Sequence, residues 1–97
     1  MVIITVSPLY ECAHKHPTSL GPLNDWIEKT KAADWRHFPD VKKTFNSADS
    51  VGNDRYVFDI KNNDFRIITM IHFSTRTVYI RFVGPHAEYD KIDASTA

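Results

Sequence analysis

The sequence predicts an α+β fold of two layers, in which an N-terminal strand and two helices pack on an antiparallel sheet. Three observations lead there. Within residues 55–84 the runs RYVFDIK, FRIITMIHF and RTVYIRFVG alternate in character at the period of two that a half-buried strand requires. The breaks between them, NND and ST, are turn formers. Residues 7–31 instead space their apolar side chains three and four apart, the period of a helix lying on a core.

Val2–Val6 is a short apolar run that reads as an opening strand joining the sheet. Ser7-Pro8 then supplies an N-cap and a proline at the first helical position, which predicts a helix over Leu9–Lys15. His16-Pro17 ends it, because the residue before proline avoids helical geometry. Thr18 or Ser19 caps a second helix that runs through Lys31. Leu20, Leu23, Trp26 and Ile27 face its core side, with Asp25, Glu28 and Lys29 elsewhere on the cylinder. ADWRHFPD is a connector, Asp40–Phe45 makes one or two helical turns, and NSADSVGND is a polar loop leading into the sheet. Trp26, Trp35 and Phe38 sit where they serve either the core or contact with a partner protein. The closing DASTA is expected to fray.

At 97 residues, with 42% hydrophobic and 25% charged, the chain has the make-up of one soluble globular domain spanning residues 1–97. No apolar run approaches the ~20 residues of a membrane span, and MVIITV is too short and lacks the basic start of a secretory signal. The single cysteine, Cys12, excludes an internal disulfide and fits a reducing cytoplasm. A formal net charge of zero excludes a nucleic-acid binder that works through bulk basicity. Charge is instead concentrated. Residues 55–81 carry five basic side chains against two acidic ones, while the segments on either side are net acidic.

Counting by twos puts Tyr56, Phe58, Ile60, Phe65, Ile67, Ile71, Phe73, Val78, Ile80 and Phe82 on one sheet face, which is a core. The other face carries Val57, Asp59, Lys61, Arg66, Ile68, Met70, His72, Tyr79, Arg81 and Val83, a half-apolar floor set with cations. A two-residue turn at Asn63-Asp64 pairs Asn62 with Phe65 and sets Lys61 opposite Arg66. A second turn at Ser74-Thr75 sets Arg81 opposite Ile68 and diagonal to Arg66, roughly 7–8 Å away. Like charges that close are unfavourable unless an anion lies among them, and Asp59, flanking Ile68 opposite Arg81, is one carboxylate for three cations. A phosphodiester suits the remainder. His86 and Tyr89, in HAEYD directly after the last strand, stand at the edge of this floor.

VGNDRYVFDIKNNDFRIITMIHF followed by VYIRFVGPHAEYDKID resembles the C-terminal half of HigB-type toxins, relatives of RelE in type II toxin–antitoxin systems. The likeness extends upstream through DVKKTF and WIEKTKAADW, leaving only about the first fifteen residues generic. The resemblance implies a RelE-like fold and an endoribonuclease that cuts mRNA in the ribosomal A site by 2′-hydroxyl attack, with no metal or cofactor. It further implies silencing by a HigA-type helix-turn-helix antitoxin, operator DNA reached only through the antitoxin complex, and no membrane partner.

Such cleavage needs a base for the 2′-hydroxyl, positive charge for the phosphate, an acid for the leaving 5′-oxygen, and an in-line hold on the strand. Arg66 in FRII and Arg81 in IRFVG match the family's strand arginines. They are the phosphate clamps, always charged and able to engage two oxygens at once. His86 is a candidate base or acid. Tyr89 is a proton donor or strand orienter, and Lys61 an alternative base or a third phosphate contact. Relatives often carry a second lysine two residues before this one. Asp59 stands there instead, which moves the base assignment towards His86, with Asp90 either orienting it or solvated.

Lys42 and Lys43 in DVKKTF, and His72 on the cationic face, are candidates for RNA contact. The plainer readings are a solvated helix face and a hydrogen-bonded sheet histidine. Cys12, His14 and His16 do not suit a metal, because residue 14 leaves the helix face that 12 and 16 share and structural zinc takes four ligands. Two other classes of function fit less well. One is a catalytically silent module that holds RNA, DNA or an acidic protein segment on the same floor. The other is a purely structural partner, for which Lys61, Arg66 and Arg81 have no reason to cluster.

Overall fold

The computed structural model describes residues 1–61 and 64–97. In chain order it holds β1 (Val2–Ile4), α1 (Ser7–Lys15), a 3-10 turn (Pro17–Ser19) that leads into α2 (Leu20–Ala32), and α3 (Phe38–Thr44). These are followed by β2 (Asp49–Gly52), β3 (Arg55–Ile60), β4 (Phe65–His72), β5 (Thr77–Pro85) and α4 (His86–Tyr89). The strands form one sheet in the order β1-β5-β4-β3-β2, parallel only between β1 and β5. The class is α+β, with α1, α2 and α3 on one face, as the sequence predicts. The sheet is wider than predicted, because β2 joins it.

Local chemistry accounts for the helices. Ser7 lies inside the first turn of α1 instead of capping it, and no side chain bonds the N-terminus at Val6. Pro8 alone marks the start. The helix stops where His16 leaves helical geometry before Pro17, and Ser19 Oγ donates to the His16 carbonyl at 2.7 Å. α2 buries Leu23, Trp26, Ile27 and Thr30, spaced as one helical stripe. Leu20, expected on that stripe, is exposed at the first residue of the helix. α3 begins at Phe38, earlier than predicted. Asp40 accepts the Arg36 backbone N–H at 3.0 Å, a bond that holds its carboxyl below the usual range.

Phe58, near the middle of β3, is the hub on which the helical layer closes. Trp26 and Phe45 meet its ring edge-on at 5.3 and 5.4 Å, and Trp35 stacks on it at 6.2 Å. Trp35 donates its indole N–H to Thr44 Oγ1 at 3.0 Å. Trp26 and Trp35 are 1% and 2% exposed, so both are core and neither is available to a partner.

The sheet departs from the count by twos in four places. β2 forms from residues read as loop, since Asp49, Ser50 and Gly52 have poor strand propensity, and it is a short, bulged edge strand. Asn53 and Asp54 join it to β3 with φ of 52° and 60°, the two positive values that a type I′ hairpin turn demands. The turn expected at Asn63-Asp64 lies partly outside the described residues, but its flanks settle the register. Ile60 pairs with Phe65, so Asp59 and not Lys61 stands opposite Arg66, and Lys61 has already left the ladder at φ 52°. Between β4 and β5, His72 pairs with Thr77 across a 3-10 turn at Phe73–Thr75 and a left-handed Arg76, longer than the predicted Ser74-Thr75 turn.

The third departure is a bulge. Ile68 pairs with Phe82 while Thr69 pairs with Ile80, leaving Arg81 as an extra residue in β5. Each inserted residue slips the alternation by one, so Val83 packs with the helical core and Phe82 comes to the opposite face. That is the reverse of the prediction. The fourth departure is the C-terminal stretch. Ala94 is 8% exposed and packs against Val57 and Ile68, with Val51, Phe82, Tyr89 and Ala97 around it. The stretch expected to fray therefore covers part of the floor.

Phe58→Ala should cost about 3–5 kcal/mol in urea unfolding, the usual loss for a fully buried ring, while Phe58→Leu should cost less.

Candidate active site

The first residues of β4, the last residues of β5 and the single turn of α4 meet at one end of the sheet. Pro85 is extended at the N-terminus of α4, which turns the chain off the sheet at His86. The His86 N–H donates to the Asp64 carbonyl at 3.0 Å, which ties α4 to the β3–β4 connection. One helical turn then brings His86, Tyr89 and Asp90 onto neighbouring positions. The rings of His86 and Tyr89 stack at 6.3 Å, and His86 Nε2 lies 3.5 Å from Asp90 Oδ2.

Arg66 is the centre of this cluster. Its Nε is 2.9 Å from Asp59 Oδ1, and the two side chains are only 12% and 24% exposed. Its guanidinium carbon lies 5.6 Å from the centre of the Tyr89 ring, within cation–π range. The sequence places Asp59 beside Ile68 opposite Arg81, as one carboxylate shared among three cations. The register gives it to Arg66, because the hairpin is longer than a two-residue turn allows. Lys61 is at the same end, 3.9 Å from Asp64 Oδ2. Across the ladder from Arg66 sits Gly84. A Cβ there would lie 2.8 Å from Phe82 Cζ and 3.0 Å from Glu88 Oε2, so the bare backbone is what lets those two side chains close over it.

Arg81 occupies a second position, beside Ile68 and about 7 Å further along the strand direction from Arg66. Its Nε donates to the Ala97 main-chain oxygen at 3.2 Å. Arg55 donates to that same oxygen from Nε at 3.2 Å and Nη2 at 3.0 Å. Among the described residues, neither of these arginines pairs with a side-chain carboxylate. Arg76, which swelled the local positive count, is spent elsewhere. It binds Asp34 at 2.5 Å, and that bond holds the Asp34 carboxyl below the usual range.

The remaining candidates lie apart from this cluster. Lys42 reaches back from α3 to the carbonyls of Asn46 and Ala48, and Val41 beside it packs in the helical core, so Lys42 and Lys43 belong to the helical layer. His72 shares the face of Arg66 but lies six residues along β4, about 20 Å away, with its ring against Tyr79 at 5.4 Å. Among the described residues, no group of three or more His, Cys, Asp and Glu side chains is placed to hold a metal. Cys12 is buried, and that burial pushes its thiol above the usual value.

Two site residues escaped the sequence reading. Phe82 was assigned to the core face, and only the bulge brings it to the floor. Arg55 was counted as charge but given no role. Its place at the start of β3, on the face of Val57 and Asp59, was the available signal.

Asp59→Asn should lower stability by about 1–3 kcal/mol in urea unfolding, the range for a hydrogen bond to a charged partner. Combined with Arg66→Gln, it should add little to the single change, because both remove the same pair.

Residues 19–92 match the HigB toxin family, described as the RelE-like toxic component of a toxin–antitoxin system. The chain is 31% identical over 94 residues to mRNA interferase HigB of Escherichia coli O6:H1, covering 95% of this chain and 91% of the relative. It is 33% identical over 95 residues to mRNA interferase toxin HigB of Escherichia coli K12, covering 93% and 88%, and equally to mRNA interferase HigB of Shigella flexneri. The strand arginines, the HAEYD turn and the mixed sheet that joins them thus have a family setting: the chain belongs to the HigB family of RelE-like toxins.

Proposed function

We propose that this toxin is an endoribonuclease that cleaves mRNA on the ribosome and thereby stops growth. The observation that carries the reading is the meeting of Arg66, Tyr89 and His86 where β4, β5 and α4 converge. The relatives named as mRNA interferases, similar over nearly the whole chain, support it. Residues 1–97 act as one toxin domain.

The chemistry follows from which atoms face that junction. His86, oriented by Asp90, takes the proton from the 2′-hydroxyl. The 2′-oxygen attacks phosphorus, and the bond from phosphorus to the 5′-oxygen breaks. Arg66 and Arg81 hold the non-bridging oxygens as negative charge grows on them. The Tyr89 hydroxyl, its ring seated on Arg66, gives its proton to the departing 5′-oxygen and regains one from water. The products are a 2′,3′-cyclic phosphate and a 5′-hydroxyl. Lys61 adds a phosphate contact at the same end, or takes the base role if His86 serves only to position the strand.

The partner is an antitoxin of the HigA helix-turn-helix type, and the site of action is the ribosomal A site in the cytoplasm. No helix among the described residues is long and apolar enough to cross a membrane.

Induction of the intact chain should arrest growth and create new mRNA 5′ ends at codon-related positions. Arg66→Ala and Arg81→Ala should each lower cleavage about 10²–10³-fold, the usual effect of losing one such contact. His86→Gln and Tyr89→Phe should lose cleavage while keeping ribosome binding. Intact messages and normal growth with a folded, soluble chain would refute nuclease action and leave a silent binding module.

A further inference from the structure

Arg55 enters β3 and Arg81 bulges from β5, so they approach the floor from strands on either side of β4. Three of their guanidinium N–H groups converge on one oxygen, that of Ala97, at 3.0–3.2 Å. The fork of Arg55 is fixed in advance, since its Nη1 donates to the Asn53 carbonyl at 2.8 Å. Three converging guanidinium N–H groups make a seat for an oxygen of an anion, and a phosphate oxygen satisfies those donors.

We propose that Arg55 forms, beside the Arg81 clamp, a second anion site for the phosphodiester next to the one being cleaved, and that the C-terminal segment occupies this site until RNA displaces it. The proposal rests on the RNA-cleaving reading and adds Arg55 to it as a substrate-binding residue. The hold of the segment is modest. Asn53 Nδ2 donates to the Ser95 carbonyl at 3.0 Å, Ala94 seats on Val57 and Ile68, and a turn bonded by Asp93 shapes the rest. Each of these contacts is either exposed or small, so an incoming phosphate gives up little by displacing them. Arg81 then changes partners, from the oxygen of Ala97 to a phosphate oxygen.

The test uses a short fluorescein-labelled RNA bearing 2′-O-methyl groups, which binds without being cut, followed by anisotropy across a salt series. Arg55→Ala should weaken binding and reduce the slope of log affinity against log salt by about 0.7, the value for one lost contact to a single strand. Arg55→Lys should restore the slope. A chain ending after Asp93 should bind RNA more tightly than the intact chain. Should that truncation fold poorly by circular dichroism, Asn53→Gly loosens the same segment while keeping the positive φ, and should also tighten binding.

The proposal falls if Arg55→Ala keeps the affinity and salt slope of the intact chain, or if a folded chain with a released segment binds no better. Arg55-dependent capture of an acidic peptide, with RNA binding indifferent to Arg55, would assign the site to a protein partner and overturn it as well. An intact, folded chain that neither binds this RNA nor cleaves message would overturn the nuclease reading itself, and this site with it. Cleavage retained with Arg55→Ala but lost with Arg66→Ala would sink the second site alone.

Discussion

A single extra residue in β5 decides what reaches the open face of the sheet. Opposite Ile68 and Thr69 the strand inserts Arg81, and every residue beyond it turns over. Val83 goes inward to the helical core, Phe82 comes outward to the floor, and Gly84 lands beside Arg66. Without the insertion Arg81 would stand where Phe82 now packs, and Val83 would take the place of Gly84 beside Arg66. Bulges bend and twist a strand, and this one lies on the stretch of β5 that runs past the end of β1, where a straight strand edge would otherwise lie open. The same device therefore shapes the site and blunts an edge.

The floor that results is neutralised unevenly. At the α4 end, Arg66 has a half-buried carboxylate at 2.9 Å and an aromatic ring over its guanidinium. Asp59 and the Tyr89 ring together hold that cation in place. In the middle of the sheet, Arg55 and Arg81 face a main-chain oxygen. Between the two lies an apolar patch of Val57, Ile68 and Ala94. Arg66, 12% exposed, is screened by water far less than the exposed Arg81.

What was legible in the sequence follows from which signals are local. The stripe Leu23, Trp26, Ile27 announces α2, and the alternation in FRIITMIHF announces β4, because each repeats several times within one element. The type I′ rule was sound as well, but Asn53-Asp54 obeys it where Asn63-Asp64 was expected to, since loop length and not residue type alone sets the register of a hairpin. A bulge leaves no mark on a pattern of period two, so the exchange of Phe82 and Val83 could not be read. β2 depends on pairing with Val57 and Tyr56 and not on its own DSVG composition. The placement of Ala94 depends on a surface made by four strands. The nearness of Arg66, His86 and Tyr89 was legible because they flank one strand junction, with Arg81 further along β5, whereas the partners, Asp59 for Arg66 and Ala97 for Arg81, were set by register and by the chain's return.

The sheet order has a consequence for how the chain comes off the ribosome that makes it. Among the described residues β1, the first strand synthesised, pairs with β5 alone, and the two join across some seventy intervening residues. Closing so distant a contact is entropically expensive and cannot begin before Thr77–Tyr79 exist. The HAEY turn comes later still. A growing chain short of that point contains the helices and the β2–β3 hairpin but no complete constellation of arginine, histidine and tyrosine. Synthesis must pass Tyr89 before that arrangement can exist at all.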